Sequence, residues 1–337
     1  ALSDNPPVMW GCQSEPTLIA MVGSSSGPSS QPVVAWASPL AACRLIAADI
    51  KIAHSVFALP FAILGAFMAA APTGEGIDLS RLSGQLALVV AAMFFARTAA
   101  MLANRLLDRE IDRGNPRTAG RALASGRLSI KAVGTALGGS AAGFMVVCVA
   151  FGVLFGNWWP AALGLLVLGW LVLYPLCKRF TVLSHLYLGS SLAISPLAAA
   201  VAVRPAAVGD QPALWLLAAM VLCWVAGFDI IYALQDIDVD RRQGLYSLPS
   251  RLGATRALWA SRGLHAAAWL FLVAAAWLVE RFGVIFLGGV VIVAALLVSE
   301  HMTVKRWGTS RIALAAFTLN GLISCLLGAL GVADVLL

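Results

Sequence analysis

Residues 82–121 read LSGQLALVVAAMFFARTAAMLANRLLDREIDRGNPRTAGR. The first half is an apolar run long enough to cross a bilayer core, for which about 20 residues suffice. The second half turns polar and carries Asn104, Asp108 and Asp112 at intervals of four. Each step of four advances a helix by about 400°, so these three side chains are expected on one face, aimed at one point. Residues 229–242, DIIYALQDIDVDRR, repeat the arrangement at the end of another apolar run. There Asp229, Asp236 and Asp240 return to one face with Tyr232 between them, while Asp238 points nearly opposite and reads as a solvated helix-end charge. Acids at a membrane edge are costly and are usually kept for function.

Working outward from these stretches, the chain of 337 residues is 60% hydrophobic and only 12% charged, with a mean hydropathy of +0.88. A soluble domain carries roughly 25% charged residues, so the expected fold class is all-α, a polytopic membrane protein. Apolar spans can be placed at 52–71, 82–102, 132–154, 158–176, 183–203, 213–231, 257–279, 282–299 and 312–332. That predicts about nine transmembrane helices joined by short connections in one bundle. Pro60 and Pro196 fall inside spans, where they either bend a helix to widen a cavity or are plain kinks.

The cations orient the chain. Arg105 to Lys131, Lys178 and Arg179, Arg241 to Arg262, and Lys305 to Arg311 fall in loops on one side, whereas the opposite loops carry only Arg81, Arg204 and Arg281. The positive-inside rule places the amino terminus and both acidic clusters in the cytoplasm of a bacterial-type inner membrane. This asymmetry also accounts for the net charge of +7 without a nucleic-acid partner, since no recognition helix or aromatic RNA motif accompanies it. Residues 1–40, rich in Pro, Ser and Gly, are expected to form a disordered tail without the continuous apolar core of a signal peptide, leaving 41–337 as the membrane domain. The six cysteines are scattered with no CxxC pair and read as small core residues. Tryptophans such as Trp158 and Trp159 read as interfacial anchors.

Magnesium prefers oxygen ligands and commonly bridges one or two carboxylates to a phosphate. Arginine forks such as those of Arg117 and Arg121, just downstream of the first cluster, would take the remaining phosphate oxygens. One acid-rich helix end is well explained as a solvated terminus with charges of both signs. Two such ends on the same membrane side, each backed by arginines, point instead to a shared Mg²⁺–diphosphate site.

The NxxxDxxxD pattern with Asn115-Pro-Arg-Thr downstream, and the DxxYxxxDxxxD pattern followed by Gly244, Ser247 and Arg251, resemble the two signatures of the UbiA superfamily of intramembrane aromatic prenyltransferases. Tyr174-Pro-Leu-Cys-Lys178-Arg179 resembles a third element of that family, and the similarity runs from about residue 44 to the end. The resemblance implies nine helices around a central cavity under a cytoplasmic cap. It implies that Asn104, Asp108, Asp112, Asp236 and Asp240 hold Mg²⁺ on a polyprenyl diphosphate, with Asp108 and Asp236 essential to catalysis. Asp229 and Tyr232 match supporting positions of the second motif, and Arg117, Arg121 and Lys178 match basic positions near the diphosphate. The isoprenoid tail would lie in an apolar tunnel open to lipid.

Other polar positions have two readings each. Lys51 and His54, three apart on one face, would bind the carboxylate of an aromatic acid, or are a snorkelling lysine and a hydrogen-bonded histidine. Arg97, seven residues before Asn104, lies on the same face about two turns deeper, facing either the acceptor or an internal ion pair. His185 and Asn320 could also reach the cavity, but lone polar residues in spans more often bond between helices, so both are left out of the site. The expected function is Mg²⁺-dependent transfer of a polyprenyl group to an aromatic acid acceptor of the 4-hydroxybenzoate type in ubiquinone or menaquinone biosynthesis. The same chemistry on 1,4-dihydroxy-6-naphthoate is the alternative acceptor. An ion-coupled transporter is the rival of another class; it should hold its charges near the midplane and show inverted repeats, and neither is evident.

Overall fold

The computed structural model describes residues 39–50, 57–71 and 76–337, and every regular element among them is helical. Helices α1 (Pro39–Ile50) and α2 (Leu59–Ala70) precede the long α3 (Leu79–Leu107), which Asp108 alone separates from the short α4 (Arg109–Arg113). Then come α5 (Ile130–Phe155), α6 (Trp159–Leu173), α7 (Ser184–Val203), the short α8 (Ala207–Asp210) and α9 (Pro212–Ala233). Helices α10 (Ile237–Arg242), α11 (Leu248–Leu252), α12 (Ala254–Leu278), α13 (Val284–Trp307) and α14 (Asn320–Leu336) complete the chain. Among the described residues, eight helical segments are long and apolar enough to cross a membrane, and α2 is a shorter apolar helix, in accord with about nine spans. The expected tail, 1–40, lies outside the described residues except for Pro39 and Leu40, which begin α1.

In hydrocarbon a backbone amide has no water to bond, so each span closes its own hydrogen bonds and the ends need explicit partners. Asp78 caps α3 by accepting from Arg81 N at 3.0 Å, and Ser129 caps α5 by accepting from Ala132 N at 3.0 Å. Gly156 ends α5 at φ 73°, a left-handed conformation that glycine adopts without steric cost. Pro60 lies in the first turn of α2, not inside a span, where its missing N–H costs nothing; Pro196 is inside α7 as expected.

The central element is α9. Across its apolar window 67% of the residues are buried, against 22–44% in the other long spans. It packs against α7 and α12, α2 packs against α7 and α14, and α3 against α5. Fully buried Trp224 of α9 meets Phe61 edge-on at 5.4 Å and Phe228 at 5.3 Å. Its Nε1–H donates to Asn320 Oδ1 at 2.6 Å, and Asn320 Nδ2 donates to Glu300 Oε1 at 3.1 Å. Asn320 therefore ties α9, α13 and α14 together, as its polarity inside a span predicts. Large apolar side chains such as Val146, Leu166, Trp277 and Val291 face outward, which suits lipid and not water. Trp158 and Trp159 are both 56% exposed at a helix start, as interfacial anchors are.

The α7–α9 contact depends on a missing side chain. A Cβ added at Gly189 would stand 2.3 Å from the carbonyl oxygen of Leu222, a backbone atom that cannot swing aside. Gly189→Ala should force the two helices apart at a cost of about 1–3 kcal/mol. The expected result is a lower thermal midpoint in detergent; a midpoint equal to that of the parent chain would show that the helices shift freely.

Candidate active site

Neither acidic set rides on one continuous helix. Asp108, at φ −93° and ψ 6°, ends α3, and Asp112 belongs to α4. Likewise α9 gives way to a 3₁₀ turn, Leu234–Asp236, before α10 carries Asp240. The four-residue hydrogen bonds Asp108 N to Asn104 O (2.9 Å) and Asp112 N to Asp108 O (2.7 Å) persist across the break, so the side chains stay neighbours. Each set therefore spans the end of a long helix and the short helical segment that follows it. Among the described residues no three His, Cys, Asp or Glu side chains converge as a ready ligand set. Asp108, Asp112 and Asp236 are each turned onto a cation instead.

Three such pairs close the site. Lys178 Nζ meets Asp108 Oδ2 at 2.5 Å. Arg121 Nη1 reaches both oxygens of Asp112, at 2.7 and 2.8 Å. Arg117 forks onto Asp236, from Nη2 to Oδ2 at 2.6 Å and from Nε to Oδ1 at 3.1 Å, and its Nη1 donates to Tyr232 Oη at 2.9 Å. Such bidentate, charge-assisted contacts define geometry as well as charge. Asn115 completes the join, donating from Nδ2 to Asp236 Oδ1 at 2.9 Å while its Oδ1 accepts from Arg117 N at 3.0 Å. The loop after the first motif thus lies directly on the second motif, and both acidic ends share one end of the bundle.

Asp108 is the most enclosed of these acids, at 1% exposure. Its Oδ1 receives no hydrogen bond, with Arg179 Nη2 at 3.9 Å. Burial pushes the Asp108 carboxyl above the ordinary carboxylate range, and Lys178 works against that rise. A buried carboxylate oxygen without a donor is the kind of hard oxygen ligand that Mg²⁺ prefers.

The second motif brings in residues that sequence reasoning passed over. His185, at the start of α7, is 5% exposed, and its Nδ1 lies 2.7 Å from Asp229 Oδ2. It does join two helices, as a lone polar residue in a span should, but it does so at the site and not away from it. The only hint in the sequence is its place seven residues after Lys178. The segment 243–252 folds over the same region: Tyr246 N donates to Lys178 O at 2.7 Å, and Leu248 N stands 3.2 Å from His185 Nε2. Ser247 and Ser250 cap α11 reciprocally, which stiffens that segment. Half-buried Asp240 lies within electrostatic reach of Asp236, Lys178 and His185, whereas Asp238 is exposed as predicted.

Beneath this polar end runs a cavity of about 460 Å³. Arg97, Asn104 and Tyr174 line its polar part; Val89, Ala92, Ala96, Phe151, Ala199 and Ala202 line the apolar remainder, and Trp159 and Trp215 bound it farther along. Arg97 faces this cavity, as its seven-residue offset from Asn104 predicts. Lys51 and His54 lie outside the described residues.

The fold and site together define a polytopic membrane protein whose acid–base cluster sits at the mouth of an apolar cavity. The chain belongs to the UbiA prenyltransferase family, whose sequence model matches residues 58–322. It is 33% identical over 217 residues to the 4-hydroxybenzoate octaprenyltransferase of Yersinia pseudotuberculosis, covering 63% of this chain and 70% of that one. It is 35% identical over 173 residues to the protein of the same name from Alcanivorax borkumensis, an alignment that spans 49% of this chain and only 56% of that protein. Among solved structures, the apo UbiA homolog from Aeropyrum pernix K1 is 32% identical and superposes with a TM-score of 0.72, covering 84% of this chain and 98% of that one. A UbiA homolog from Archaeoglobus fulgidus bound to GPP and Mg²⁺ shares the fold, with a TM-score of 0.65 at 18% identity over 87% of this chain and all of that one.

Proposed function

We propose that the chain transfers a polyprenyl group from polyprenyl diphosphate to an aromatic acid of the 4-hydroxybenzoate type, with Mg²⁺, at the cytoplasmic end of the bundle. One observation carries this reading: three acid–cation pairs stand at the mouth of an apolar cavity, and one of them, Arg117–Asp236, joins the two motif ends. Asn104, Asp108, Asp112, Asp236 and Asp240 would hold the metal, and Arg117, Arg121 and Lys178 would turn from their carboxylates to the diphosphate oxygens. Bound Mg²⁺ would neutralise the charge that develops on the diphosphate as the allylic C–O bond breaks. Exchange of partners keeps every charge compensated, so no lone ion is stranded in the low-dielectric site. The cavity takes the isoprenoid tail and excludes water that would quench the allylic cation. Arg97 in the cavity wall, with Lys51 and His54, supplies candidate contacts for the acceptor's acid group. Support for the acceptor class comes from the relatives named 4-hydroxybenzoate octaprenyltransferase, and support for the orientation from the cation-rich loops at the site's end of the bundle.

The test incubates membranes containing the chain with Mg²⁺, a long prenyl diphosphate and, in parallel, 4-hydroxybenzoate or 1,4-dihydroxy-6-naphthoate, following products by mass spectrometry. Prenylated 4-hydroxybenzoate that disappears with EDTA is the expected result. Product from the naphthoate alone would reassign the acceptor. Intact diphosphate with substrate uptake into proteoliposomes would favour a carrier instead.

Lys178 gives a pH prediction. Burial raises the Asp108 carboxyl and Lys178 counters it more than the distant Arg179 does, so Lys178→Met leaves burial largely unopposed. The proton then competes with the metal up to a higher pH. The acid limb of the pH–rate profile should move to higher pH, with kcat/KM for the prenyl diphosphate down by about 10–100-fold from the lost charge-assisted contact. An unmoved acid limb would separate Asp108 from the rate-controlling ionisation.

A further inference from the structure

Asp229 is held unlike the three acids that pair with cations. Asp108, Asp112 and Asp236 each face a lysine or arginine, whereas Asp229 faces His185. The Nε2 of that ring stands 3.2 Å from the Leu248 backbone N–H, which can only donate. Nε2 is therefore the acceptor, and the ring carries its proton on Nδ1, directed at Asp229 Oδ2 at 2.7 Å. The other oxygen, Oδ1, has no hydrogen bond within the described residues. Asp229 lies seven positions before Asp236, about 10 Å deeper along the helix. Asp229 does not itself line the cavity, but Tyr174, which does, lies in its electrostatic field. A diphosphate is drawn to cations and repelled by a carboxylate that has none. A hydroxyl donor is the partner such an oxygen accepts.

We propose that His185 is a positioning residue for the acceptor: it holds Asp229 so that Oδ1 accepts a hydrogen bond from the hydroxyl group of the aromatic ring. The docked segment 245–252 sets the ring's tautomer through Leu248 N–H. The same segment bonds the Lys178 carbonyl through Tyr246 N at 2.7 Å, so one piece of chain braces both halves of the site. This inference rests on the prenyl-transfer reading above.

The test uses the full chain in detergent or nanodiscs, with the prenyl diphosphate and the acceptor varied separately. His185→Leu should lower kcat/KM for the acceptor by about 10–100-fold, the worth of a hydrogen bond to a charged group, and leave KM for the prenyl diphosphate within about twofold. His185→Asn, whose amide nitrogen replaces Nδ1, should recover most of the loss. A loss shared equally by both substrates, or an Asn variant as poor as the Leu variant, would overturn the proposal. A readout independent of activity is ¹⁵N NMR of histidine-labelled protein, where His185 should appear as the neutral Nδ1–H tautomer and shift in Asp229→Asn. The Nε2–H tautomer would overturn the proposal even in a fully active chain. A chain that converts neither acceptor would instead defeat the prenyl-transfer reading, and the tautomer would then decide the ring's role alone.

Discussion

Asp108→Ala and Asp236→Ala are each expected to reduce prenyl transfer by about 10³-fold, the scale seen when one preorganised charge-stabilising group is removed from a reaction centre. The loss should fall on kcat as well as on KM, because these groups act on charge that appears only as the C–O bond breaks. Asp108 lies at 1% exposure with one oxygen lacking a donor, and Asp236 receives both the Arg117 fork and the Asn115 amide. Neither carboxylate can be replaced by a neighbour without redrawing these contacts. Asp238→Ala is the control, because Asp238 is exposed and stands outside the pairs; its activity should stay within about twofold of the parent chain, as for other surface changes. Full activity in the Asp108 and Asp236 variants would remove the metal–diphosphate site from the chain.

The second large effect is expected from Ala96→Phe. Ala96 lines the cavity on α3, eight residues from Asn104, or about 12 Å down the helix. A phenyl ring there fills the passage toward Val89, Phe151 and Ala202 while leaving the polar mouth intact. Transfer from a long polyprenyl diphosphate should fall by about 10–200-fold, the range that shape alone discriminates in an apolar pocket. Dimethylallyl or geranyl diphosphate, which ends above the block, should keep most of its rate. Equal losses for long and short donors would mean that the tail takes another route. Because an added ring in a packed helix can cost about 1–3 kcal/mol, the thermal midpoint should be measured alongside.

The fold was largely legible in the residues. Runs of apolar side chains at membrane length leave the backbone no alternative to helices, and this physics needs no partner information. The element that failed the reading, Pro60 inside a span, did so because hydropathy marks the apolar stretch and not the turn where the helix starts. At the site, the acids Asp108, Asp112 and Asp236 and the cations Arg117, Arg121 and Lys178 were legible, because charged side chains beside apolar spans stand out. Their pairing was not. Lys178 and Asp108 are 70 positions apart, and Arg117 and Asp236 are 119 apart. His185 was set aside because a lone histidine in a span usually bonds a neighbouring helix, and nothing in its local sequence indicates that the neighbour contributes Asp229.

By itself, the sequence determined the membrane class, the number of spans, the side on which the charges gather and the chemical kinds of side chain available there. Each of these follows from transfer free energy and helical period, which depend on residues close together in the chain. Only the tertiary structure decided which cation meets which acid, that Asn115 bridges the two motifs, and that His185 supports Asp229. Those contacts form where α3, α7 and α9 come together, and how such distant segments pack is set by long-range shape and burial, which no local window of residues records.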